Sequence, residues 1–125
     1  MLARRSLLTA LAAAALLAAC ATPKPLPHGI SLIDAERLKT RIEVDEPMTS
    51  RTDTGTLRVV VPVRNKIDGR IVIEGRAVFV GSAGPEAASG WKRVFINKDS
   101  SEMLEFLSLS DRASDYRVEL REGNR

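Results

Sequence analysis

Residues 56–65 read TLRVVVPVRN, and the fold follows from this stretch. Leu57, Val59, Val61 and Val63 recur at every second position, which lines them along one face of an extended chain. Arg58, Val60, Pro62 and Arg64 share the other face. Pro62 cannot donate to a ladder, so the strand is expected at a sheet edge or bulged there. Asp68-Gly69 ends the short loop that follows and signals a hairpin. Its partner would be RIVIEGRAVFV (70–80), with Ile71, Ile73, Ala77 and Phe79 inward and Glu74 and Arg76 outward.

The same period of two extends in both directions. RIEVDE (41–46), WKRVFIN (91–97), EMLEFLSL (102–109) and DYRVELR (115–121) all read as strands, separated by turns at 52–55, 98–100 and 110–114. GSAGPEAASG (81–90) is a long loop with nothing to pack a core, and mobility is expected of it. SLIDAERLKT (31–40) has two readings. Ser31 with Asp34 suits a helix-opening pair, and an extended lead-in fits equally. Five or six strands without an intervening periodic helix give an all-β class, an antiparallel immunoglobulin-like β-sandwich.

Ahead of the strands the composition changes. Arg4 and Arg5 precede an uncharged apolar run, Leu7–Ala19, that ends at Cys20, the single cysteine. Thirteen helical residues cover about 20 Å, short of the ~30 Å hydrocarbon core of a bilayer. The run is therefore a secretory signal and not a permanent span. Leu17-Ala18-Ala19-Cys20 resembles the bacterial lipobox. That resemblance implies cleavage before Cys20, a diacylglycerol on its thiol and an acylated new amino terminus; the other reading is an ordinary signal with an incidental cysteine. One acyl chain holds a protein only reversibly, whereas two or more hold it stably. Ala21, in place of aspartate, implies sorting to the inner leaflet of the outer membrane. Arg4-Arg5 also resembles a twin-arginine signal, leaving that export route open beside the general one.

Pro23, Pro25 and Pro27 disfavour helix and favour an extended tether, which would reach about 28 Å over nine residues. The chain thus divides into a signal at 1–19, a lipidated cysteine and proline tether at 20–29, and a sandwich domain at 30–125. His28, the only histidine, falls in the tether and is expected to be solvated.

Charge and cysteine content exclude several functions. The chain carries 19 basic and 16 acidic residues, and loss of Arg4 and Arg5 with the signal leaves 17 against 16. Signs alternate along the sequence, and no basic cluster interleaved with aromatics suggests nucleic acid. A lone cysteine permits no internal disulfide, so the domain relies on packing. Neither zinc-type spacing nor a phosphate-cradling glycine loop is present, and no cofactor is expected. Glu102 and Glu105 lie three apart on a strand, hence on opposite faces, and form no acid–base pair. Ser89-Gly90-Trp91-Lys92 matches the serine–x–x–lysine of penicillin-binding enzymes. That chemistry needs a helix to bring serine and lysine together, and here the segment enters a strand.

GTLRVVVPVRN, EGRAVFV, GWKRVFIN and DYRVELR together resemble the YcfL-like lipoproteins, over roughly residues 41–121. The resemblance implies a small envelope lipoprotein with an immunoglobulin-like sandwich and no assigned activity. Val80-Gly81-Ser82 departs from it, since such domains often carry an aspartate and glycine after that strand. The reading is a non-enzymatic, lipid-anchored periplasmic module, held to the membrane through Cys20, that binds or supports an envelope protein or glycan. Trp91 and Arg93 mark the candidate partner surface, tryptophan and arginine being favoured at interfaces; a core or rim position for Trp91 is the alternative. Rival functions are a cell-wall hydrolase or transferase and a passive structural lipoprotein.

Overall fold

A computed structural model describes residues 24–124. The expected signal, residues 1–19, and Cys20 lie outside the described residues. Two sheets face one another. The first contains β1 (Ile30–Leu32), β5 (Ile71–Gly81), β6 (Gly84–Pro85), β7 (Lys92–Ile96) and β9 (Ala113–Glu122). The second contains β2 (Ile42–Val44), β3 (Met48–Arg51), β4 (Leu57–Asn65) and β8 (Ser101–Leu107). A single helical turn, α1 (Ala35–Leu38), joins β1 to β2. The fold is the all-β sandwich that the alternation predicts, with every strand pairing antiparallel except β1, which runs parallel to β9.

The core forms where the two inward faces meet. Val59, Val61 and Val63 of β4 have no solvent exposure, nor do Ile73, Ile96, Val118 and Leu120 of the opposite sheet. Ala77 and Phe79 are inward as their alternation requires, with Leu104, Phe106 and Tyr116 filling the remaining space. Gly75 sits on this inner face. A Cβ there would lie 3.0 Å from Leu120 and 3.1 Å from Leu104, so the sheets approach one another most easily at a residue without a side chain.

Two local expectations are corrected. β4 and β5 do not form a hairpin: β4 pairs with β2, β3 and β8, and β5 with β6, β7 and β9. The chain crosses between sheets at residues 66–70 because the inward-facing Asn65, 3% exposed, organises that corner. Its Nδ2 donates to the Gly69 and Ile96 carbonyls at 2.6 and 3.0 Å, and its Oδ1 accepts from the Ile67 N–H at 2.9 Å. Pro62 is not on an edge, because β4 is central. Its carbonyl accepts from Asp45 where β2 has ended and β3 has not begun, and the N–H that proline lacks would face that same break. Both readings of 31–40 are realised in part: Ser31 lies in extended β1, and the single turn α1 follows Asp34, which is left-handed (φ 56°) and gives no side-chain cap.

The segment 81–90 is tied back onto the sheet and the neighbouring turn. β6 turns back onto β5, and Glu86 and Ser89 donate backbone N–H groups to Phe79 and Ala77. The Glu86 carboxylate accepts from the Leu109 and Ser110 N–H groups and from the Ser110 hydroxyl at 2.7 Å. These donors hold its carboxyl below the usual range. Residues 24–29 likewise lie on the domain. Lys24 is 3.6 Å from Asp45, His28 is 3.3 Å from Asp115, and Gly29 accepts from the Val118 N–H at 2.8 Å. The stand-off from Cys20 is therefore shorter than nine extended residues.

Asn65 and Ser108 are the buried polar residues among those described, and they clamp opposite ends of β4. Ser108 accepts from the Leu57 N–H at 2.8 Å and donates to the Ser110 carbonyl. Replacing Asn65→Leu leaves two carbonyls and an N–H without their partner, at about 1–3 kcal/mol for a buried orphan. Denaturant titration is expected to show a loss of about 2 kcal/mol, against near zero for Asn97→Leu on the exposed end of the neighbouring strand.

Candidate functional site

The cross-strand register of the five-stranded sheet sets out its outer face. Glu74 lies opposite Arg93 on one side and Arg121 on the other, and Arg76 lies opposite Glu119. Side chains directly opposed in a ladder share a face, and Trp91, two residues before Arg93, continues the same face beyond the start of β7. The alternation that groups Trp91 with Arg93 and Phe95 is thus realised, with all three directed away from the core.

The charges on this face are interlocked. Glu74, only 13% exposed in its side chain, accepts from Arg121 at 2.9 Å and from Arg93 at 3.0 Å. Arg76 meets Glu119 at 3.1 Å. The Trp91 ring lies beneath two guanidinium groups, 3.6 Å from that of Arg121 and 4.7 Å from that of Arg76. Phe95, 49% exposed, carries Arg70 at 5.0 Å. Arg70, Arg76, Arg93, Arg117 and Arg121 outnumber Glu74, Asp115 and Glu119, leaving a positive, ring-bearing surface. A guanidinium stacked on a ring still bonds carboxylates through its in-plane N–H groups, as Arg121 does with Glu74 and Arg76 with Glu119.

Sequence reasoning found Trp91 and Arg93 and missed their neighbours. Arg76 and Arg121 lie on other strands, and only the register brings them to the tryptophan. The alternation of DYRVELR turns Arg121 outward, but nothing in the sequence says what it covers.

Ser89 and Lys92 are not brought together. The Ser89 hydroxyl accepts from the Ala77 N–H at 2.9 Å and donates to the Gly90 carbonyl at 3.0 Å. Lys92 instead donates to the Glu105 carbonyl and lies over the Phe106 ring. Glu105 is paired with Arg58 at 3.0 Å, and Glu102 stands on the opposite face of β8. Among the described residues, no group of three or more His, Cys, Asp or Glu is arranged to hold a metal ion, and no helix is long and apolar enough to cross a membrane.

Two solved structures share this fold. Campylobacter jejuni cj0090 superposes with a TM-score of 0.60 at 16% identity, over 76% of this chain and 98% of that one. A DUF1425 family member from Shewanella sp. pv-4 gives 0.55 at 17% identity, over 67% and 80%. At such identities the likeness is one of fold. No protein-family model and no curated protein matches the chain.

Two outcomes follow from the geometry. Trp91→Ala removes a surface stack and not a core ring, so equilibrium unfolding should show a loss of about 1–2 kcal/mol; a loss of 3 or more, usual for a buried aromatic, would contradict the outward placement. The second concerns acid. Hydrogen bonds from Arg121 and Arg93 lower the pKa of Glu74, and the Tyr116 N–H lowers that of Asp115. Each carboxylate stays ionised in the folded protein to lower pH than in the unfolded chain. Their stabilisation is complete above the unfolded values, near 4, and is lost as pH falls through the folded ones. Unfolding followed against pH should be flat from 7 to about 5 and decline below about 4, less steeply in Glu74→Gln.

Proposed function

We propose that the protein is a lipid-anchored periplasmic accessory module of the YcfL-like kind, which presents the outer face of its five-stranded sheet to an acidic envelope partner. The observation that carries the binding role is the position of Trp91. The chain's one tryptophan stands outside the core, under Arg121 and Arg76, in a face with more arginines than carboxylates. Large aromatic and guanidinium groups dominate interface energetics because they contribute much contact area with few rotamers to freeze. Their mutual stacking pre-organises both before a partner arrives. The fold shared with a DUF1425 family member is compatible with this reading.

Anchoring rests on Leu17-Ala18-Ala19-Cys20 and the short proline segment after it. Acyl groups on Cys20 supply membrane attachment once the signal is removed. The domain's surface is then left free for recognition, at the inner leaflet of the outer membrane by the sorting implied by Ala21.

Crosslinking in intact cells tests the proposal. A photoreactive residue at Arg93 should give a discrete adduct with an envelope protein or glycan, weakened several-fold by Trp91→Ala. The same probe at Ser101, on the other sheet, should give none. Equal labelling from both positions, or no adduct at Arg93, would make the Trp91 face a structural brace. Intact mass of the cellular protein should show loss of residues 1–19 and acyl mass at Cys20; a retained Met1 with an unmodified thiol would remove the anchor.

A further inference from the structure

We infer that the groove between the entering chain, α1 and β2 takes one acyl chain and the phosphate of an anionic phospholipid, so that the domain docks on the bilayer in a fixed orientation. The inference rests on the proposed lipid anchor at Cys20.

The groove has a volume of about 610 Å³, within the usual range for small-molecule sites. Its floor is apolar: Ile42 and Val44 of β2 are 3% and 5% exposed, with Leu32 of β1 beside them. Leu26 forms part of the wall and is 45% exposed, an apolar side chain left half in water at the mouth. Three lysines, Lys24, Lys39 and Lys66, also line the site. Glu43 is the one carboxylate in the lining, and Arg64 engages it at 3.1 Å. Lys24 meets Glu43 and Asp45 at 3.9 and 3.6 Å, and Lys39 meets Glu36 at 3.0 Å. Both lysines are more than half exposed in these pairs, and such pairs hold so weakly that a phosphate can displace them. Lys66 makes no ion pair among the described residues. An apolar slot rimmed by ammonium groups matches a single acyl chain below a negative headgroup, and basic side chains beside an anionic leaflet add to binding individually.

Position makes the same case. Cys20 precedes Lys24 by four residues, a reach of at most about 14 Å. A lipid on Cys20 therefore holds the mouth of this groove, and no other part of the domain so directly, against the headgroups. The acyl chains of Cys20 itself are the poorer occupant. They carry no charge for three lysines to meet.

The lipidated full-length protein carries no other cysteine, so a spin label can be placed singly at Thr40→Cys in the groove or at Ser82→Cys in the turn between β5 and β6. Vesicles of phosphatidylethanolamine with phosphatidylglycerol are compared with vesicles in which phosphatidylcholine replaces the phosphatidylglycerol. The Thr40 label should lose several-fold in collision with an aqueous nickel complex, and gain in collision with oxygen, in the phosphatidylglycerol vesicles alone, while the Ser82 label stays in water. Lys66→Gln should reduce that preference about fivefold. Equal protection of the Thr40 label in both vesicles would assign the groove to the Cys20 acyl chains, and dipolar broadening would assign it to a second copy; either overturns the inference. Flotation with a Thr40 label that stays aqueous overturns it while leaving the anchor standing. Failure to float with either vesicle removes the anchor and the inference together.

Discussion

Val59, Val61 and Val63 are sealed from water on both sides of the central strand's inner face, and the rest of the domain is arranged around keeping them so. One cysteine rules out an internal disulfide, so nothing covalent holds the two sheets together. The burial of each apolar face against the other must do it, in a domain small enough that much surface stays wet. Two consequences are visible. The sheets come close enough at Gly75 for Leu104, Leu120 and Phe106 to fill the space a side chain would need. Among the described residues, buried polar side chains occur at the two ends of β4, where Asn65 and Ser108 satisfy backbone atoms that would otherwise be stranded. Among the described residues no buried side-chain nitrogen or oxygen lacks a partner.

Strands that face water on one side wrote their period into the sequence, and those were legible. β4, β5 and β9 all alternate, and their inward residues are the ones the pattern names. β3 was not legible, because Met48–Arg51 is exposed throughout and carries no alternation. The pairing partners were not legible either. Asp68-Gly69 reports a local reversal, and a local reversal says nothing about which sheet the chain enters next. That choice depends on Asn65 reaching the Ile96 carbonyl, a contact 31 residues away. The candidate site divides in the same manner: Trp91 and Arg93 share an outward face by parity alone, while the guanidinium groups over the ring come from strands whose register had to be known.

The Trp91 face and the lysine-rimmed groove place different demands on the same small body. On the outer face of the five-stranded sheet, Glu74 and Glu119 fix the arginines, so that recognition there would use groups already ordered. In the groove, the lysines are long, exposed and loosely paired, which suits a fluid surface better than a shaped partner. Rigid guanidinium stacks and mobile ammonium groups are different tools, and the sequence distributes them accordingly.

The open edges of the two sheets are where copies of such a domain would associate. An unpaired strand edge is a template for association. Here the outermost strands are short: β1 and β2 have three residues each, β3 four and β6 two. Pro47 precedes β3, and Pro85 lies within β6, each removing a donor where a foreign strand would need one. β7 and β8, five and seven residues long, are the longer exceptions, each paired on one side alone; they approach one another, with Lys92 reaching the Glu105 carbonyl across the gap. The long ladder of β5 with β9 is kept inside its sheet. What the short edges leave to the surroundings is chiefly side chains, on faces and grooves of the kind formed by Trp91 and by β2.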